Sequence, residues 1–289
     1  MKKKPTLLLI VSMLVFGTLG LFVRYIPLPS GELALYRAVT ATVLLAAYLL
    51  ITRERFQVQA IRKELPLLLL SGAAMGANWI LLFEAYRYTT ISVATLSYYF
   101  APVIVTILSP LLFREKLTAK SVMCFVLSTV GLVLVIGVAD LKTAQFMGIA
   151  FGLGAAVLYA TVILLNKTIK SVAGIMRTFW QFIAATVVLV PYVLCTGGFT
   201  ASSLDAVGWG MLAVVGVVHT GITYCLYFSS VKELSGHKIA LLSYIDPLTA
   251  VVLSMTVLTE PVTPWQLVGG GMILLFTLIS EISFKTPRK

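Results

Sequence analysis

The stretch Tyr98-Tyr99-Phe100-Ala101-Pro102 lies in the middle of a long apolar segment, and a related stretch, Ser243-Tyr244-Ile245-Asp246-Pro247, follows later in the chain. At a constant spacing of 145 residues, the surrounding regions also match at Phe83/Phe228, Leu96/Leu241, Leu108/Leu253, Ser109/Ser254, Glu115/Glu260 and Thr118/Thr263. The chain therefore contains an internal repeat.

Each copy places a proline inside a helix of membrane-spanning length. Pro102 and Pro247 have no amide proton to donate, and their rings push away the carbonyl four residues earlier, which belongs to Tyr98 and Ser243 respectively. Hydrocarbon cannot satisfy such carbonyls, so a broken helix is tolerated only against other helices or a water-filled cavity. We therefore expect both segments to face a central site.

The composition predicts an integral membrane protein. The 289 residues are 59% hydrophobic and 11% charged, with a mean hydropathy of +1.00, which is too apolar for a soluble domain. A membrane span needs about 20 apolar residues. Ten such segments are predicted at 6–25, 33–51, 66–83, 93–113, 119–138, 146–165, 175–195, 207–229, 239–258 and 264–283.

The net charge of +11 is distributed by topology and not in one patch. If the N-terminus is cytoplasmic, the outside segments hold Arg24, Arg87 and Lys142, Arg37 lies inside a span, and the other basic residues lie on the inside. This is the positive-inside pattern with both termini cytoplasmic. The charge therefore predicts orientation and not a nucleic-acid partner. We expect a multi-pass protein of the cytoplasmic membrane.

The N-terminal apolar run favours a retained first helix, because it exceeds the usual length of a signal-peptide core and no polar mature region follows it. Cys124, Cys195 and Cys225 lie in different spans without metal-ligand spacing. We predict no metal site and no cofactor.

The two halves of the chain match again at a spacing of 143 residues, which pairs Phe16-Gly17-Thr18 with Tyr159-Ala160-Thr161 and Arg37 with Trp180. Each half carries five predicted spans. Because five is odd, the second copy enters the bilayer from the opposite side, which gives an inverted-topology repeat. We predict an all-α polytopic membrane protein with one five-helix repeat at 1–139 and the other at 140–289.

Short signals mark helix ends and close helix packing. Thr118 and Thr263 suit N-caps before the last span of each half. Glu115 and Glu260 lie just ahead of these helix N-termini, where the helix dipole favours a carboxylate. Substrate contact is the alternative role for both glutamates. Close helix approach is predicted at three sets of glycines: Gly72/Gly76, Gly148/Gly152 and Gly269-Gly270-Gly271.

These features together resemble the drug/metabolite transporter superfamily, in the form with two EamA-type domains. The resemblance covers almost the whole chain and rests on length, span count, the proline in the fourth helix of each half and Glu-x-x-Thr before the fifth. It implies transport of a small metabolite, often outward. By resemblance, Arg37 matches the arginine of the second helix, while Trp180 stands at its repeat position.

Ionisable residues within apolar spans predict functional positions because they are costly in a bilayer. Arg37 binds an anionic substrate group, or it extends to the interface and pairs with Glu32 or Glu84. Glu84 gates or carries a proton, or it pairs with Arg87. Asp246 precedes Pro247 at the helix break and could bind a cation or carry a proton. His219 suits proton coupling or a neutral hydrogen bond to a neighbouring helix.

Aromatic and amide side chains complete the candidate substrate site. An aromatic cage could hold an organic cation or stack a ring, although aromatic residues in membrane helices also serve packing. Asn78 and Gln181 must form hydrogen bonds in a dry environment, either with substrate or between helices. The candidates are Trp79, Tyr98, Tyr99, Trp180, Tyr224 and Tyr244, with Tyr227 at a similar depth.

We therefore predict a secondary active transporter, not an enzyme, that moves an amino acid, organic amine or similar small metabolite by alternating access. Its partners are a small-molecule substrate, the bilayer and coupling protons, and it is a monomer or homodimer. The alternatives are a lipid flippase, favoured by a cavity open laterally to the bilayer, and a polytopic enzyme. Enzymes of that kind place paired carboxylates, histidine clusters or a nucleophile with its base near an interface.

Overall fold

A computed structural model describes residues 3–53, 58–114, 118–136, 144–172 and 174–281, and these residues form helices and connecting segments. The predicted positions of Glu115, of Lys142 and of the repeat boundary at 139/140 lie outside the described residues. The α-helices are α1 Lys3–Gly17, α2 Leu19–Tyr25, α3 Ser30–Ile51, α4 Val58–Tyr88, α5 Ile91–Tyr98, α6 Ala101–Phe113, α7 Ala119–Ile136, α8 Ala144–Thr168, α9 Gly174–Cys195, α10 Ala206–Ala213, α11 Thr223–Val231, α12 Gly236–Ser243, α13 Ile245–Thr256 and α14 Pro264–Glu281.

These helices combine into ten spans within the described residues, as the sequence predicts. Spans 2, 3, 5, 6, 7 and 10 are α3, α4, α7, α8, α9 and α14, whereas spans 1, 4 and 9 are the pairs α1–α2, α5–α6 and α12–α13. Span 8 consists of α10, a π-helical segment at Val214–Ile222 and α11. Seven spans are long and apolar enough to cross a membrane, and the other three contain shorter apolar helices.

The outward surface is apolar, as a lipid-facing surface must be. Leu50 is 70% exposed, Leu111 62% and Val187 62%. Such a surface would be a liability in water but suits a bilayer. The helix faces that point inward bury Leu33, Phe83 and Phe182 among the spans.

Glycines let spans approach closely at the predicted sets Gly72/Gly76, Gly148/Gly152 and Gly269-Gly270, whereas a Cβ atom on Gly271 would meet nothing within 4 Å. Span 5 packs along span 10, and a Cβ atom on Gly131 would lie 2.6 Å from the carbonyl oxygen of Gly269. Gly72 packs against the backbone of Gln181, and Gly148 against Thr89. The fifth spans of the two halves therefore pair with each other.

The predicted helix breaks occur at matching positions in the two halves. Span 4 is interrupted at Tyr99–Phe100 and span 9 at Tyr244, and a new helix begins directly after each break. Pro102 and Pro247 fall in the first turn of the new helices, where a missing amide proton costs little. Span 1 is also interrupted, at Thr18.

Threonine caps begin the last span of each half, as predicted. Ser121 N–H donates to Thr118 Oγ1 at 3.1 Å, and Gln266 N–H donates to Thr263 Oγ1 at 3.2 Å. Gln266 Oε1 accepts from Thr263 N–H at 2.9 Å, which completes a capping box.

The two ends of the helix bundle differ in how spans 4 and 9 meet. The N-terminal face is the end of the bundle where Lys238 Nζ donates to Thr6 Oγ1 at 2.7 Å. The distal face is the opposite end, where Thr200 N–H donates to Glu32 Oε1 at 2.9 Å. At the distal face α5 packs against α13. Their repeat counterparts at the N-terminal face, α12 and α6, make hardly any contact within the described chain. Spans 4 and 9 therefore diverge toward the N-terminal face.

Candidate functional site

A cavity of about 670 Å³ lies between the halves, bounded mainly by spans 1, 3, 4, 6, 8 and 9. Span 2 contributes Arg37, and span 10 contributes Ser280. Both broken spans line it through residues at or near their breaks, such as Tyr99 and Tyr244. The volume lies within the range of small-molecule sites in proteins, about 300–1,000 Å³.

The cavity opens toward the N-terminal face. Its walls on the distal side, including Leu19, Tyr86 and Thr95, are at most 7% exposed. Its walls toward the N-terminal face, including Thr106 and Ile239, are partly exposed. This gradient agrees with the divergence of spans 4 and 9 and shows one mouth and one closed end.

Arg37 lies on the cavity wall with its guanidinium held by two kinds of contact. Nε donates to Thr220 Oγ1 at 2.8 Å, and the guanidinium carbon lies 4.5 Å from the ring centroid of Trp79 and 5.7 Å from that of Phe83. The aromatic faces stabilise the cation. Because Nε is the bonded nitrogen, the two terminal nitrogens remain to bind a planar anionic group such as a carboxylate.

Asp246 supplies the opposite charge from the break in span 9. Its Oδ2 accepts a hydrogen bond from the Tyr99 hydroxyl at 2.6 Å, so the break in span 4 orients the acid of span 9. In the described part of the chain, Arg37 and Asp246 are not joined by an ion pair, and they are the two charged side chains that line the cavity. The cavity therefore presents one cation and one anion separately.

Aromatic side chains form much of the remaining wall. Tyr98 stacks on Tyr159 with 5.2 Å between ring centroids, and Phe16 meets the edge of Tyr224 at 5.3 Å. Trp79, Tyr99, Tyr224, Tyr227 and Tyr244 also line the cavity. These rings offer flat apolar surface together with hydroxyl groups.

The amide candidates differ in position. Asn78 lines the cavity, but its Nδ2 donates to the Ala155 carbonyl of span 6 at 2.6 Å. Gln181 is not among the described residues that line the cavity, because its Nε2 donates to Ser71 Oγ at 2.5 Å and to Asn166 Oδ1 at 2.7 Å. Gln181 therefore joins spans 3, 6 and 7, which is the alternative that the sequence analysis leaves open.

Four other candidates also lie away from the described cavity wall: Trp180, Glu84, Pro247 and His219. Trp180 packs beside Phe179, and Glu84 is half-buried near the end of α4. Arg87, the alternative partner of Glu84, donates instead to the carbonyl of Leu28. Pro102 lines the cavity, whereas its counterpart Pro247 is buried beside it.

His219 connects two helices instead of facing the cavity. Its Nε2 lies 2.8 Å from Thr18 Oγ1, at the break in span 1, and its Nδ1 lies 3.2 Å from the Val214 carbonyl oxygen. The neighbouring Thr220 holds Arg37. The π-helical segment therefore contacts both the broken first span and the cavity arginine, in keeping with the frequent occurrence of π-bulges at functional sites.

Sequence reasoning omits Tyr86, Tyr159 and Thr220 from the site. The sequence marks Tyr159 only as the repeat counterpart of Phe16, and the structure places both residues on the cavity wall. Thr220 gives no comparable signal, since its contact with Arg37 depends on the local π-helical geometry.

The fold and cavity define a polytopic membrane protein whose two repeated halves enclose a one-ended cavity that carries Arg37 and Asp246 on its wall. Comparison with known proteins identifies its family. The EamA-like transporter family matches residues 3–137 and again residues 146–281, and the chain belongs to that family.

Relatives agree with this assignment, and a solved structure shares the fold. The chain is 31% identical over 255 residues to the "Uncharacterized transporter YxxF" of Bacillus subtilis, covering 87% of this chain and 81% of the relative. It is 27% identical over 233 residues to "Protein PecM" of Dickeya dadantii, covering 77% and 76%. A crystal structure aligns over 96% of both chains with a TM-score of 0.65 and 16% identity, which shows a shared fold.

Proposed function

We propose that this transporter is a secondary active exporter of a small zwitterionic or cationic metabolite, such as an amino acid or an organic amine. It works by alternating access across the cytoplasmic membrane, with both termini in the cytoplasm. The observation that carries the proposal is the pair of separate opposite charges, Arg37 and Asp246, in one cavity between inverted halves.

A ligand of matching chemistry would offset the cost of keeping both charges in the bilayer. Placing an ionised side chain at the bilayer centre costs about 2.5–3.5 kcal/mol on insertion scales. Arg37 offers its terminal nitrogens to a carboxylate, and Asp246 has one oxygen, Oδ1, beyond the bond from Tyr99. An amino acid could place its carboxylate on Arg37 and its ammonium group on Asp246, with its side chain against Tyr98 and Tyr159.

The orientation and direction rest on charge distribution and on the mouth of the cavity. The positive-inside pattern places the N-terminal face in the cytoplasm, so the mouth faces the cytoplasmic pool of metabolite. Export is the direction that we propose. Asp246 is the proposed proton carrier, because a carboxylate can exchange a proton for a cationic group of the substrate.

The test is counterflow transport by purified protein in liposomes. Labelled amino acids, their decarboxylated amines and a sugar are offered in separate assays, with and without an imposed pH gradient. We expect zwitterion movement that responds to the gradient and no sugar movement. Movement of a labelled phospholipid would favour a flippase, a chemically altered product would favour an enzyme, and no movement of any amino acid or amine would contradict the proposal.

A further inference from the structure

Glu260 joins the two halves at the distal face. Its carboxylate, 8% exposed, pairs with the guanidinium of Arg24 and accepts from the Ser254 hydroxyl. Its Oε2 also accepts from the backbone N–H of Ile91 at 2.9 Å. Arg24 ends span 1 and Ile91 begins α5, so both first-half partners lie in spans that bound the cavity.

The backbone around Glu260 fixes this carboxylate. Thr259 adopts φ +50°, a left-handed conformation that a β-branched residue rarely takes and that costs free energy. Glu260 N–H donates to the Ser254 carbonyl at 3.0 Å. Such strain is kept where the surrounding contacts require it, and here it directs the Glu260 side chain toward the first half.

The bond to Ile91 has a specific electrostatic role. Ile91 is the first residue of α5, where free N–H groups and the helix dipole favour a negative charge. Glu260 therefore neutralises part of the positive charge at the N-terminus of α5.

The repeat shows what differs at the other face. At the spacing of 143 residues Lys167 corresponds to Arg24, and at 145 Ser109 corresponds to Ser254. Lys167 of span 6 donates from Nζ to Ser109 Oγ of span 4 at 2.7 Å. At both faces, therefore, the span that carries the basic residue contacts a span that is broken at a proline. The distal face adds a contact between the two broken spans, α5 with α13, which their counterparts α12 and α6 hardly make.

We propose that Glu260, with Arg24 and the N-terminus of α5, forms the latch that closes the distal side of the cavity in this inward-facing state. To open distally, α13 must separate from α5 and α2, and that movement breaks the bonds from Arg24 and Ile91 to Glu260. This inference rests on the alternating access proposed above and identifies the contact that alternation must break.

Cysteine accessibility tests the latch without any substrate. In a background lacking Cys124, Cys195 and Cys225, Thr95→Cys places a small reporter thiol on the buried distal wall of the cavity. A membrane-impermeant maleimide is added from one face at a time, to intact cells and to inverted vesicles. A variant that keeps only the exposed native Cys195, at the distal end of α9, identifies the distal face.

The latch is removed by Glu260→Gln and, from its more exposed side, by Arg24→Gln. Arg24 is 38% exposed, so its replacement leaves the core packing intact. Because hydrogen bonds to charged groups are worth more than neutral ones, we expect each variant to raise distal labelling of the reporter thiol by about tenfold or more. The double variant should add little to either single change, since both remove one interaction.

Asp205→Asn is the matched control, because Asp205 is a distal carboxylate that caps α10 locally by accepting from Gly208 N–H at 2.7 Å. It should leave labelling of the reporter thiol unchanged. Unchanged distal labelling in both latch variants, or an equal rise from both faces, would overturn the latch. If the reporter thiol in the parent is never labelled from the N-terminal face, the failure lies with the proposed inward-facing cavity instead.

Discussion

Spans 4 and 9 are the most instructive pair of regions, because they are repeat counterparts with matching helix breaks but different side-chain charges. Both break at the same position and begin again with a proline in the first turn. At the spacing of 145 residues, however, Ala101 of span 4 corresponds to Asp246 of span 9. Likewise, Trp180 corresponds to Arg37 in the repeat at the spacing of 143 residues.

This difference separates two tasks. The duplicated residues build the helix breaks and the threonine caps that give the inverted frame. The unduplicated residues, Arg37 and Asp246, give the cavity its charges. A symmetric frame can thus expose the cavity to either face while the ligand keeps a single asymmetric binding arrangement. The predictions below remove one element of this asymmetry at a time.

The largest effect is expected from Asp246→Asn, which makes span 9 as neutral as span 4. Asparagine still accepts the Tyr99 hydroxyl bond, so the change removes charge and proton exchange while keeping the shape. We expect gradient-driven transport in liposomes to fall by about 100-fold. Normal expression with unchanged coupling would remove Asp246 from the mechanism.

Arg37→Gln should have the next largest effect and should act selectively on substrates with a carboxylate. Losing a charge-assisted bond costs about 1.5–3 kcal/mol, so we expect zwitterion affinity to fall by about 10-fold to 100-fold. Affinity for the decarboxylated amine should not fall. Equal losses for both ligands, measured by binding to purified protein, would argue against a carboxylate on Arg37.

Thr220→Val should have a smaller effect because Thr220 only positions Arg37. The substitution keeps the shape but removes the acceptor for Arg37 Nε, while the guanidinium charge and its terminal nitrogens stay in place to bind a carboxylate. We expect the KM for a zwitterion to rise by about fivefold with little change in kcat. Thr223→Val is the control, because Thr223 bonds the Val218 carbonyl at 2.6 Å; equal effects would indicate general loosening of span 8.

The sequence predicts most of the frame because its signals are local. Proline and threonine fix helix breaks and caps through their own backbone chemistry, and Pro102, Pro247, Thr118 and Thr263 behave accordingly. Arg37 and Asp246 stand out for a similar reason, since a charge inside an apolar run is conspicuous wherever its helix packs.

The remaining site could not be predicted because it depends on helix rotation. A span that is apolar on all sides gives no amphipathic pattern to show which face turns inward. The sequence therefore gives no reason to separate Gln181 and Trp180 from Asn78 and Trp79 as candidate site residues. Only Asn78 and Trp79 lie on the described cavity wall. The π-helical register of Val214–Ile222 also changes which residues face the cavity, and so His219 meets Thr18 instead.

The most direct test of alternating access is to measure two distances that the repeat makes equivalent. Spin labels at Tyr88, the last residue of span 3, and at Val257, directly after span 9, report the distal separation of the two halves. Labels at Glu233 and Leu112, their counterparts at the spacing of 145 residues, report the separation at the N-terminal face, and all four positions are exposed. The account predicts that transported ligand lengthens the first distance while it shortens the second. Two distances that change in the same direction, or that stay fixed while ligand is transported, would contradict it.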